Sequence, residues 1–221
     1  GTSPKVWNAW KGKLLEDLYK LTVRTLGGRA PDPGAVIESR KRQALIQLAL
    51  ASEPQDSHKR LWDTLEVSYF MRHDAGEIAW HTRQLARHAV RPIATKTEAA
   101  GAGGASAGAV KTFETIVRAR LSPVGEGLQV LVYAADQPDL FARICGYFDR
   151  AGFSILDAKI HTTRNGRALD TFQIINPLVP DHNREFIGMV EAELPAAVES
   201  QAPLAPPRLG RVSRRVKSFP I

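Results

Sequence analysis

"DQPDLFARICGYFDRAGFSILDAKIHTTRNGRALDTFQI", residues 136–174, holds in order a turn, a helix, a strand, a second turn and a second strand. Leu140, Phe141, Ile144, Cys145 and Phe148 recur at spacings of three and four, which puts them on one side of a helix over 138–151, and Gly152 serves as its C-cap. Gln137 reads as the N-cap and Pro138 as the first helical residue, so the amides of Asp139 and Leu140 should point outward at the positive end of the helix dipole. Beyond Gly152 the period falls to two, and strands are expected at 153–163 and 167–175.

The register of that hairpin follows from its side chains. A two-residue loop at Asn165 and Gly166 would scatter the apolar residues over both faces. A three-residue loop, Arg164-Asn165-Gly166 with glycine in the left-handed bulge position, sets Ala158 opposite Phe172 and Leu156 opposite Ile174. Leu156, Ala158, Ile160, Phe172 and Ile174 then share one face, and Asp157, Lys159, Thr171 and Gln173 share the other.

Working outward, "FETIVRARL" (113–121) and "LQVLVYA" (128–134) read as strands joined through "SPVGEG". A helix over 183–200 and a last strand near 211–219 complete a β-α-β-β-α-β order, the ferredoxin-like plan. The stretch "TEAAGAGGASAGAV" (97–110) has almost no side chain to bury and reads as a flexible linker over 96–112. Residues 1–95 are expected to be all helical. The pattern gives helices over 4–26, 33–50, 57–65 and 75–88, the first with Val6, Trp7, Trp10, Leu14, Leu18, Leu21 and Leu26 on one face. Ser3 and Pro4 form the first helix's cap, Ile78, Leu85 and Ala86 face inward on the last, and Trp7, Trp10, Trp62 and Trp80 belong to the core. The fold class is α+β, a helical region at 1–95 followed by a ferredoxin-like domain at 113–221.

Composition narrows the function. The chain has 221 residues, 43% hydrophobic, a formal charge of +7 and a single cysteine, Cys145. One cysteine excludes an intrachain disulfide and a cysteine-based zinc site and points to a reducing, cytoplasmic setting. No apolar run reaches the length of a membrane span, so no membrane partner is expected. The positive excess lies in 1–95 and in the tail "RLGRVSRRVKSF", while 113–200 is acidic on balance. Neither basic region interleaves aromatics for base stacking, so nucleic acid is not the expected partner. "GTSPKVWNAW" enters an amphipathic pattern at once without an initiator methionine and reads as the middle of a longer chain.

The turn of Asp136, Gln137, Pro138, Asp139 and Leu140 is the place best suited to hold an anion such as an amino-acid carboxylate, because a strand ends and a helix begins there. His73-Asp74 is a weaker lead, since a metal site needs more ligands converging from other helices than His58, His81 and His88 supply. His81 and His88 stand two turns apart.

The 136–174 stretch resembles an ACT domain, a small-molecule sensing module of ferredoxin-like fold. It is most similar to the first ACT domain of the bifunctional PII uridylyltransferase/uridylyl-removing enzymes of bacterial nitrogen control. "KVWNAWKGKLLEDLYKLT" (5–22) and "YFMRHDAGEIAWHT" (69–82) resemble the part of those enzymes that follows their metal-dependent HD hydrolase motifs. The resemblance implies a parent enzyme that uses UTP and Mg2+, or another divalent metal, to uridylylate the PII signal protein and that removes the groups when glutamine is abundant. The family's nucleotidyltransferase motif and upstream hydrolase ligands are not in this chain, which therefore carries no catalytic or metal residue of its own. The resemblance further implies glutamine as effector, its carboxylate cradled by the turn from Asp136 to Leu140 and its ammonium group near Asp157, with ACT–ACT pairing within or between chains. Many ACT domains have glycine where this chain has Asp139. The competing functions are an RNA-binding ferredoxin-like module and a purely structural dimerisation domain.

Overall fold

A computed structural model describes residues 9–27, 32–86, 88, 114–177, 183–200 and 202–204. Among these, five helices come first: α1 (Ala9–Leu26), α2 (Pro33–Leu50), α3 (Lys59–Trp62), α4 (Val67–Arg72) and α5 (Ala75–Leu85). The α+β part follows as β1 (Ile116–Leu121), β2 (Leu128–Ala135), α6 (Leu140–Arg150), β3 (Ser154–Lys159), β4 (Arg167–Ile175) and α7 (Asn183–Glu199). The cap at Ser3 and Pro4, the positions of Val6 and Trp7, the 96–112 linker and the strand near 211–219 lie outside the described residues.

Local chemistry sets the helix ends. Asp32 caps α2 by accepting from the amides of Gly34 and Ala35, with Pro33 in the first turn. Asp74 caps α5 in a reciprocal box, its carboxylate accepting from the Glu77 amide while the Glu77 carboxylate accepts from its own. The helix expected over 57–65 is the single turn of α3, and α4 was not foreseen, because six residues give too little periodicity to register. Arg40 of α2 reaches across to the carbonyl oxygens of Phe70, Met71 and His73 at 2.8, 2.6 and 3.1 Å, tying α2 to the end of α4. The apolar stripe of α1 is not buried as expected: Leu14, Leu18 and Leu21 are about half exposed and Leu26 is 83% exposed. Periodicity says which face of a helix is apolar, not whether another element arrives to cover it.

The sheet is antiparallel with order β1-β2-β4-β3. The unit β2–α6–β3–β4–α7 is the split β-α-β of the ferredoxin-like plan, and β1 occupies the edge beside β2. Side chains alternate between two cores. Val117, Val130, Val132, Phe172 and Ile174 face α6 and α7, packing on Ile144, Phe148, Val190 and Leu194. Ile116, Leu131, Tyr133 and Leu169 face the other way and join Leu61, Tyr69, Ile78 and Leu85 of the helical region. Helices therefore cover both faces of the sheet. α7 also seals the outer rim of β1, where the carboxylates of Glu191 and Glu199 accept from the amides of Ala119 and Thr115 at 2.8 and 3.2 Å.

The hairpin turns through Arg164, Asn165 and Gly166, with Gly166 at φ 74°, and Ala158 pairs with Phe172. Two expectations change. Ile155, not Leu156, pairs with Ile174, because a bulge between Ile155 and Asp157 makes Leu156 the extra residue. β3 ends at Lys159 and not at 163: the His161 amide turns to the Asp170 carboxylate, 3.2 Å away, and only Thr162 re-pairs, opposite Ala168. Ile160, expected in the core, is consequently 39% exposed.

Candidate functional site

The turn before α6 differs in detail from the sequence reading. The Leu140 amide donates to the Gln137 carbonyl at 3.3 Å, and Asp139 has φ 64° and ψ 5°. Pro138 and Asp139 thus hold the two central positions of a turn of type II pattern, with positive φ at the second. The helix begins at Leu140, two residues later than expected. Its cap is Asp139, not Gln137, and the Asp139 side chain makes no capping hydrogen bond. Proline sets the first turn position but does not enter the helix. Asp139 stands where glycine is ordinarily needed, and Asp is one of the few residues that tolerates that backbone.

Gln137 points elsewhere, donating from Nε2 to the Val198 carbonyl of α7 at 3.0 Å. The Asp136 amide donates to the Gly166 carbonyl at 3.2 Å, and its carboxylate accepts from Thr162 Oγ1 at 3.0 Å. Asp136, Pro138 and Asp139 are exposed, Leu140 is buried, and the amides of Phe141 and Ala142 fall in the first turn, where no intrahelical acceptor exists. The turn thus offers a carboxylate a dipole end and open backbone.

Asp157 is not brought to this turn. It pairs with Gln173, which pairs with Gln129, seven residues before Asp136 on β2, a separation of about 23 Å along the strand. It also shares the other sheet face. There, with Lys159, Thr171, Gln173 and Gln129, it borders a groove of about 860 Å³ between the sheet and the helical region.

Sequence reading did not foresee the polar seam at the back of this groove. Glu77, 5% exposed, receives Lys159 Nζ at 2.7 Å on both carboxylate oxygens and Gln129 Nε2 at 2.8 Å. Arg120 donates to Gln129 Oε1 at 2.8 Å and lies 4.1 Å over the Trp80 ring. Deeper in, His81 links Tyr69 Oη at 2.7 Å to Thr171 Oγ1 at 3.2 Å, an arrangement a neutral imidazole satisfies by donating at one nitrogen and accepting at the other. Burial pushes the pKa of His81 well below 6.5 and that of Tyr69 well above 10.0. His73 donates from Nδ1 to the Tyr69 carbonyl at 2.9 Å, and burial holds it down to about 3 against that bond. The Nε2 atoms of His73 and His161 are buried with no hydrogen-bond partner among the described residues. The only hint of the seam in the sequence was the polar alternation on β3 and β4, which marks a face but does not say what covers it. With Thr171 and Gln173 only 3% and 6% exposed, that face is not a platform open to nucleic-acid bases.

No group of three or more His, Cys, Asp or Glu side chains among the described residues is arranged to hold a metal ion. Asp74 is occupied as the cap of α5. No helix among the described residues is long and apolar enough to cross a membrane.

Fold and site together define an α+β chain in which an ACT-type, ferredoxin-like sheet is packed on a helical region. Residues 32–84, from the cap of α2 to the last turn of α5, match the family described as Uridylyltransferase GlnD fifth domain. Over its whole length the chain is 52% identical to the bifunctional uridylyltransferase/uridylyl-removing enzyme of Ralstonia nicotianae, covering 24% of that protein. It is 49% identical to the enzyme of the same name from Cupriavidus pinatubonensis and 48% identical to that of Burkholderia lata, covering 23% of each. The chain belongs to this family as a segment, spanning about a quarter of the length of the curated relatives it matches. No solved structure matches it.

Proposed function

We propose that this segment is the regulatory part of a uridylyltransferase/uridylyl-removing enzyme acting on the PII signal protein, with the ACT-type domain sensing glutamine. Residues 1–95 form the end of the HD-type hydrolase domain, 96–112 the connection and 113–221 the sensing domain with the lead toward a second one. The segment alone neither transfers nor removes UMP, and Mg2+ and UTP act in the cytoplasm on other parts of the parent chain. The observation that carries this reading is the end-to-end match to a segment of enzymes bearing that double name.

The glutamine carboxylate docks at the turn of Asp136, Gln137, Pro138, Asp139 and Leu140, where the first amides of α6 and the helix dipole favour an anion. Asp157 reaches an effector only through the groove, and not together with that turn. Titration of glutamine into the chain, followed by backbone amide shifts, tests the reading. Movement of residues 136–142 is expected. A response confined to the groove or to the helical region, with the turn silent, would overturn the ligand assignment.

A further inference from the structure

We propose that the hairpin connection 160–166 is the element that couples the 136–140 turn to the helical region. This rests on the reading of that turn as the ligand-facing part of the domain.

The connection is bonded on both sides. Toward the turn, Thr162 Oγ1 donates to the Asp136 carboxylate at 3.0 Å and the Gly166 carbonyl accepts from the Asp136 amide at 3.2 Å. Toward the helices, the Arg164 amide donates to the Thr64 carbonyl at 2.8 Å, the Arg164 guanidinium reaches the Asp63 carbonyl at 3.4 Å, and Arg72 of α4 donates to the Ile160 carbonyl at 3.3 Å. Between the two sides, the His161 amide is fixed by the Asp170 carboxylate, and Leu169 donates back to the His161 carbonyl at 2.7 Å.

The connection 160–166 therefore carries bonds to two separate parts of the chain, beyond the end of β3 and across a single isolated bridge to β4. The bridge of Thr162 to Ala168 ties the connection to β4, with the Thr163 amide donating to the Arg167 carbonyl at 2.7 Å, so a displacement at one end of the connection is carried along it. The bonds to Asp136 on one side and to Asp63, Thr64 and Arg72 on the other are single contacts to loops and side chains, which can exchange partners without unfolding the sheet. A ligand that draws Asp136 toward α6 pulls on Thr162 and Gly166, and the displacement reaches Thr64 and Asp63 through Arg164. By linkage, a change in the helical region alters affinity at the turn by the same factor.

The test uses amide hydrogen exchange and amide shifts on the 221-residue chain. Thr162→Val removes the hydroxyl contact to Asp136 at an exposed position, and Thr162→Ser restores it. In the valine variant the Arg164 amide is expected to exchange about fivefold faster or more, with shifts at Asp63 and Thr64, both reversed in the serine variant. Changes confined to positions 136 and 162, with Arg164 unaltered, would overturn the proposal. From the other end, Arg164→Ala should shift Asp136 and Gln137, and their silence would also overturn it. With glutamine added, shifts that reach Thr64 in the natural chain should stop short of it in Thr162→Val; shifts that still arrive count against this route. If glutamine moves nothing at 136–142, the ligand reading fails, while the ligand-free measurements still decide the coupling.

Discussion

Lys159 Nζ sits 2.7 Å from both carboxylate oxygens of Glu77, 82 positions earlier in the chain. The pair joins an edge strand of the sheet to the first turn of α5, and Glu77 simultaneously closes the capping box of that helix. One carboxylate thus serves the start of a helix and the seam between two regions.

Replacing Lys159 by Met leaves that carboxylate buried with only Gln129 and a backbone amide to satisfy it, and should lower stability by about 3 kcal/mol. The double variant Glu77→Gln with Lys159→Met should recover part of the loss, since no uncompensated charge remains. Denaturant midpoints of the two single variants and the double give the cycle. A loss in Lys159→Met below about 0.5 kcal/mol would mean the pair behaves as an exposed one.

The seam also predicts a pH response. Burial lowers the pKa of His73, to about 3, and those of His81 and His161, so all three stay neutral in the fold below their ordinary value of 6.5. The unfolded chain takes up those protons first, so stability present above about pH 6.5 should be lost as pH falls toward 3. Asp170 opposes this: burial raises its carboxyl to about 6, so its favourable contribution is present below about pH 4 and lost as pH rises through 6. Three histidines outweigh one aspartate, and thermal midpoints at pH 5 should fall below those at pH 7. Asp170→Asn should stabilise by about 2 kcal/mol above pH 6, a gain that fades to nothing near pH 4.

Two glycines should separate strain from clash. Gly166 has φ 74° and open space where a β-carbon would stand, so Gly166→Ala should cost only the left-handed penalty, about 1 kcal/mol. Gly127 has φ 87°, and a β-carbon there would lie 2.1 Å from the Ile174 carbonyl oxygen, so Gly127→Ala must displace β4 and should cost considerably more. Equal midpoints for the two variants would contradict this ordering.

Asp139 offers the converse case. At φ 64° the left-handed position suits glycine, and Asp139→Gly should leave stability unchanged or raise it by up to about 1 kcal/mol. Asp139→Val should lower it by about 1–2 kcal/mol, because β-branching is poorly accommodated there. Calorimetric midpoints of the pair check the backbone assignment independently of any ligand.

The sequence carried the α+β plan because its signals are local: period two at 128–134, period 3.6 at 138–151, and a glycine closing the three-residue loop 164–166 to set the hairpin. The register at Ala158 and Phe172 followed from keeping apolar side chains together. What escaped was tertiary. The bulge at Leu156 keeps both Ile155 and Leu156 near Ile174, which no alternation pattern announces. Pro138 suits a helix start and a type II turn equally, and only the left-handed Asp139 separates the two. Glu77 closes the capping box of α5, and its bonds to Lys159 and Gln129 depend on the helical region folding back over the sheet, which no local pattern announces. Asp157 was assigned to the turn by resemblance, and the strand geometry sets the two far apart.

The two glutamates of α7 that accept from the amides of Ala119 and Thr115 turn one rim of the sheet into a closed border. A neighbouring strand approaching β1 would meet carboxylates in place of free donors, and would have to displace a helix to find them. The opposite rim, β3, is blunted differently: its bulge at Leu156 and its end at Lys159 interrupt the row of backbone groups an incoming strand would pair with, so each edge of the sheet is guarded by its own device.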